Sequence, residues 1–347
     1  MSPAKDPDDA DALPHPRETA GLFGHAEAEQ TLLDAYRGGR IAHAWLIGGE
    51  AGIGKATLAF RMAKFVLAHP DPSASAVQKA KSLAVDPALP VARRVASQAH
   101  TDLLTLERVF NEKTGKLFAN IRVDDVRRSV SFFGSTAGEG GWRIAIVDSV
   151  EELERGGENA LLKVLEEPPP RSLLLLVSSA PGRVIPTIRS RCRILMLRPL
   201  LADDVVSAAG ATLNRGAGDA DIRAAADAAG GSVARVLMFL DGPALELRQR
   251  ILALLDSLPQ LDPRGLHALG DKLGGTDSAP LTAFMETVNS WLSAQLAGGP
   301  RDSRRMARLA EAWDKINRAG RETEIYNLDR RPFVFSVFGA LVEATQK

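Results

Sequence analysis

Gly49, Gly54 and Lys55 stand in the stretch GGEAGIGKAT at the spacing Gly-x4-Gly-Lys, with Gly52 between them. A glycine-rich turn between a strand and a helix lets backbone N–H groups converge on a phosphate, helped by the positive end of the helix. Lys55 adds a point charge suited to the outer phosphates. The next position should carry a hydroxyl that ligates Mg²⁺; here it is Ala56. Thr57 follows one residue on, about 100° round a helix, so its hydroxyl should point elsewhere. This spacing arises by chance in roughly one chain in ten of this length. The loop alone therefore leaves two readings open: a nucleotide site lacking its metal ligand, or a tight strand–helix turn that binds nothing.

Two further positions bear on the same chemistry. Asp148 ends the apolar run WRIAIVD, where an acidic side chain would hold the metal shell of a phosphate-binding ATPase. It is followed by Ser149, which is no useful general base at neutral pH. Glu151 and Glu152 read as solvated residues at a helix start rather than as a displaced base. Arg191, in TIRSRC, is a candidate for an arginine that reaches across a subunit boundary to a neighbour's phosphates, a role worth about 10³–10⁵ in rate. Its alternative is an arginine paired to a surface carboxylate. Cys192, the only cysteine, reads as a small packed residue or as a thiol whose pKa its flanking arginines lower. None of the six histidines has metal-ligand spacing, and His43 reads as a loop or packing residue.

The elements that would position these residues alternate. HAWLIGG, WRIAIVD and SLLLLVSS are short apolar runs separated by segments with helical spacing, such as KATLAFRMAKFVLAH. In VDDVRRSVSFF, Val126, Val130 and Phe133 are expected on one buried helix face. GENALLKVLEE should be a helix stopped by Pro168. Buried strands alternating with helices imply a parallel sheet covered on both faces. Beyond Leu200 the strands vanish and Ala/Leu-rich helical spacing takes over. The expected organisation is a disordered tail at 1–20, an α/β domain at 21–200, a small all-α domain at 201–243 and a larger all-α bundle at 244–347. Residues 70–100, rich in Pro, Ala and Ser, read as a surface insertion.

Bulk properties narrow the function. The 347 residues carry 43 Lys+Arg and 43 Asp+Glu, and zero net charge argues against autonomous DNA binding. One cysteine excludes a disulfide framework and a cysteine-rich zinc module within one chain. The start has no signal-peptide core, no apolar run spans a membrane, and a cytoplasmic location is expected.

GRIAHAWLIGGEAGIGKATLA, NALLKVLEEPP and IRSRC together resemble the clamp-loader branch of the AAA+ ATPases, and the resemblance runs from about Leu22 to the C-terminus. It implies a RecA-like AAA+ domain with a parallel sheet, an all-α lid and an all-α collar that assembles a five-membered ring. It also implies partners: γ/τ ATPase subunits, a δ subunit, the β sliding clamp and the DNA polymerase III core, with primed DNA met indirectly. Carried onto this chain, the ring's arginine finger falls on Arg191, and the nucleotide site on Gly49, Gly52, Gly54, Lys55, Thr57 and Asp148. Ala56 and Ser149 depart from the active pattern, which has a hydroxyl and a glutamate there. The sensor hydroxyl maps to Ser178 or Ser179, and the lid arginine, in GSVAR, to Arg235, one residue late. The four-cysteine zinc insert of many members is absent, so loops or short helices without zinc are expected at 70–100. The resemblance implies a non-hydrolysing member that needs no cofactor, although its loop still allows weak ATP or ADP binding. The competing readings are a hydrolysing motor subunit, with Thr57 standing in for the missing ligand, and a DNA-binding module on the same fold.

Overall fold

The computed structural model describes residues 14–345 apart from 112–115, 119, 135–137, 139–140, 217, 241, 276–277, 299–302 and 327. Chain contacts divide it into two units, Met1–Val236 and Leu237–Lys347. The first begins with α1 (Ala26–Arg37), strand β1 (Ala44–Gly48) and α2 (Lys55–Ala68). Two short helices, α3 (Ser75–Lys79) and α4 (Pro90–Ala96), precede β2 (Leu103–Leu106), and the small hairpin β3 (Phe110–Asn111) and β4 (Lys116–Leu117) follows it. Then come α5 (Val123–Gly134), β5 (Arg143–Val147), a 3-10 turn at Val150–Glu152, α6 (Arg155–Glu166), β6 (Ser172–Ser178), the one-turn α7 (Pro186–Arg189) and β7 (Arg193–Met196).

Five of these strands form one sheet in the order β2-β5-β6-β1-β7, every pair parallel. Strand alternation sends Trp45, Ile47, Ile144, Ile146, Leu173 and Leu175 to one face, against α1 and α2. Ala44, Leu46, Ala145, Val147, Leu174 and Leu176 face the other way, against α5 and α6. All seven residues of β6 are buried, which is why it reads as an unbroken apolar run rather than an alternating one. The expected α/β architecture, a parallel sheet with both faces covered, is present.

Three details differ from the sequence reading. Residues 14–20 are not a loose tail: His15 packs edge-on to Phe60, and Lys64 and Arg61 donate to the Thr19 and Ala20 carbonyls. Residues 1–13 lie outside the described residues. In α5 the third inward position is Ser129, fully buried beside Val126 and Phe133, while Val130 is 39% exposed. In 70–100, Val77, Leu83 and Val95 join the core under α2, so the segment is packed and not only a surface loop.

After the sheet come α8 (Ala202–Leu213), α9 (Ala220–Ala228) and α10 (Val233–Leu240). The division between units falls inside α10, seven residues before the expected boundary at 243. The second unit continues with α11 (Gly242–Asp256), α12 (Pro263–Leu273), α13 (Ser278–Gly298), α14 (Ser303–Ile325) and α15 (Arg330–Thr345). Its core gathers Leu247, Ile251, Phe284, Val288, Leu309, Phe333 and Phe338. Asn289 and Asn317 exchange two amide hydrogen bonds of 3.1 Å between α13 and α14, which fixes the register of those helices.

Candidate functional site

β1 carries the chain into the loop before α2. Gly49 cannot bear a side chain there, because a Cβ would sit 2.7 Å from the Leu197 carbonyl and 2.8 Å from Ile53 Cδ1. Gly52 and Gly54 adopt φ of +74° and +99°, conformations open to glycine. Four consecutive loop carbonyls are then taken up by other groups. Lys55 Nζ donates to Glu50, Ser232 Oγ to Ala51 at 2.9 Å, and the Val233 N–H to Gly52 at 2.9 Å, while His25 Nε2 lies 2.7 Å from the Ile53 oxygen. Peptide planarity turns the N–H group of each of residues 51–54 away from the group that takes the preceding carbonyl. The lysine, however, is only 5% exposed and already engaged on the loop itself. Burial pushes its pKa down, against the pull of Asp148, Glu151 and Glu50. Ala56 opens α2 without a hydroxyl, and Thr57 is half-buried in the next position.

Asp148 follows directly on β5, and its N–H donates to the Leu106 carbonyl of β2 at 2.9 Å. Burial raises its carboxyl pKa, Glu107 raises it further, and His15 and Lys55 work in the other direction. Ser149 takes the left-handed conformation at φ +64°. The two glutamates beyond it are not free solvated carboxylates, contrary to the sequence reading. Glu151 accepts from the Ser179 and Ala180 N–H groups at 2.8 and 3.1 Å, and Glu152 pairs with Arg108 at 2.8 Å. Glu151 thus holds backbone N–H groups through Oε1, and Glu152 faces a cation. Ser178 is fully buried, and its hydroxyl oxygen accepts the Ala180 N–H at 3.1 Å.

Arg191 lies on the other side of the fold's chemistry. The buried Val184 and Ile188 anchor the segment around α7, and Pro186 starts that helix with a preset φ. Cys192 packs behind it against the core, where burial pushes its thiol up to about 12; the lowered-pKa reading is thereby set aside. Arg191, between them, is exposed. Its Nη1 donates to the Thr187 carbonyl at 3.0 Å and its Nη2 to Glu166 Oε1 at 2.8 Å. Glu166 ends α6, whose buried stripe is Gly157, Ala160, Leu161, Val164 and Leu165, so it falls on the solvent side. His43, as read, is a packing residue, with Nε2 3.1 Å from the Leu165 carbonyl.

Residues 24–201, just over half of the chain, match the family described as DNA polymerase III, delta subunit. The chain belongs to this family. The DNA polymerase III subunit delta' of Pseudomonas aeruginosa is 38% identical over 165 residues, covering 47% of this chain and 46% of that protein. The subunit delta' of Escherichia coli is 28% identical over 170 residues, 49% of this chain and 46% of that one. The DNA polymerase III subunit gamma of Buchnera aphidicola is 24% identical over 257 residues, 73% of this chain and 66% of that one. The matches thus span about half the length of the delta' relatives and two thirds of the gamma relative.

In this family member the structure also uses Val233, Ala234 and Glu107, which the sequence does not single out, together with Ser232 and Arg235 of the GSVAR stretch. Ser232, Val233 and Ala234 open α10 directly on the loop, and Arg235 Nη1 comes within 3.9 Å of Glu50 while donating to the Ala229 carbonyl at 3.3 Å. Glu107, just past β2, is held by His15 at 3.2 Å and Arg17 at 3.7 Å, and it brings a second carboxylate near Asp148. A cleft of about 460 Å³ lies elsewhere, along the outer edge of β2, lined by Thr105, Glu107, Arg122 and Asp125 among others. It does not include the loop.

Proposed function

We propose that this chain is the non-hydrolysing, delta'-type subunit of a bacterial clamp loader. In this reading it works as a stator that donates Arg191 in trans to the ATP site of an adjacent γ/τ subunit. The observation that carries this is the contrast between its two phosphate-competent places. At the loop the metal hydroxyl is missing, Lys55 is engaged on Glu50, and both glutamates near Asp148 are committed to other partners. At Arg191 a guanidinium stands exposed on an anchored turn, in a surface ion pair with Glu166 of the kind the alternative reading names. Its further partners would be the δ subunit, the β sliding clamp and the polymerase III core in the cytoplasm, with primed DNA reached through the assembly. Neither zinc nor nucleotide is required for its fold in this reading. Isothermal titration of the purified chain with ATP and with ADP, each with and without Mg²⁺, tests it, combined with a phosphate-release assay. The expected outcome is no turnover and no gain of affinity from Mg²⁺, because no hydroxyl follows Lys55. Magnesium-dependent tight binding with turnover would mark a motor subunit instead.

A further inference from the structure

Arg191 does not stand alone at the end of its turn, and the residue that holds it lies 25 positions away in sequence, on α6. An arginine side chain carries about 2 kcal/mol of rotamer entropy. A free arginine would have to be ordered when it meets a phosphate. Here that ordering is already done from two directions, by the Thr187 carbonyl on Nη1 and by Glu166 Oε1 on Nη2, with the Ser190 hydroxyl oxygen 3.4 Å from Nη1. The pair is solvent-accessible, at 36% for Arg191 and 51% for Glu166, so it contributes little to the stability of the fold. Its geometry nevertheless fixes where the guanidinium points. Groups set in place before charge develops stabilise a transition state without reorganising.

We propose that Glu166 is a positioning residue for Arg191. It holds the guanidinium in the pose that an adjacent nucleotide phosphate meets, and it does not itself touch the nucleotide. This rests on the reading of Arg191 as a finger in trans. The test is a double-mutant cycle on the complex reassembled with cognate γ/τ and δ subunits, reading steady-state ATP hydrolysis and the affinity of the chain for its partners. Glu166→Ala should lower kcat by about tenfold, within the coupling range of contacting residues, and leave KM for ATP and assembly unchanged. In an Arg191→Ala background the same change should have almost no further effect. Glu166→Gln, which keeps an accepting oxygen, should restore the rate to within about twofold of the parent. An equal loss from Glu166→Ala in both backgrounds, no loss in either, or a faster rate would overturn the positioning role while leaving Arg191 in its own. If Arg191→Ala leaves the complex at full rate, the finger reading itself fails and the positioning role falls with it.

Discussion

Single residues divide the nucleotide chemistry here into what is kept and what is lost. Ala56 and Ser149 are visible in the sequence as departures, and the structure adds that Glu151 and Glu152 are committed elsewhere. Asp148 remains, without a metal hydroxyl beside it, in a setting that disfavours its charge. Burial and Glu107 raise its pKa above the ordinary 3.8. A carboxyl whose folded pKa exceeds its unfolded one costs stability when it ionises, so that cost appears as pH rises from about 3.8 through the raised value. Asp148→Asn removes the titration. Its stability relative to the parent should therefore climb with pH across that window and level off above it. Urea melts of both proteins at a series of pH values check this, and a difference that instead grows toward acid contradicts it. What sequence could not show at this scale are partners brought together by the fold. Ser232 meets Ala51 across 181 residues and Glu166 meets Arg191 across 25, and no local pattern marks either.

At the scale of elements, the strands and their helices were legible because burial on both faces leaves unbroken apolar runs such as SLLLLVS. The insertion at 70–100 was less so. Its Pro, Ala and Ser content resembles a loop, although Val77, Leu83 and Val95 are buried in the core and Ala74, Ala80 and Val85 pack against it. In α5 the buried stripe passes through Ser129, so an apolar-only pattern chose Val130 in its place. The strap at 14–20 was missed for a related reason: its anchors are carbonyls taken by Arg61 and Lys64, which its own composition does not reveal. If apolar packing rather than a metal holds the insertion, Leu83→Ala should lower stability by about 2–5 kcal/mol. A chelator should leave the melting temperature of the parent unchanged. A chelator-sensitive melt with bound zinc by elemental analysis would contradict this.

Taken whole, the molecule is two units, Met1–Val236 with the parallel sheet and Leu237–Lys347 built of helices, and the chain has equal numbers of acidic and basic residues. Among the described residues no helix is long and apolar enough to cross a membrane. The membership of the family fits the fold, but the curated relatives include both delta' and gamma subunits, so likeness alone does not separate a stator from a motor. In the reading proposed above, the chemistry of the two sites separates them. The loop also joins α2 to the start of α10 through the Ala51 and Gly52 carbonyls. Arg191, paired with Glu166 at the surface, is the cation that the proposal assigns to a neighbour. The central claim is therefore that this chain's contribution to ATP hydrolysis is a guanidinium delivered to a neighbour. ATP hydrolysis by the reassembled complex, carrying Arg191→Ala or Lys55→Ala in this chain alone, tests it most directly. The account predicts that losing Arg191 lowers the rate of the site it serves by about 10³ or more, whereas losing Lys55 leaves hydrolysis unchanged. A complex slowed by Lys55→Ala and indifferent to Arg191→Ala would contradict it.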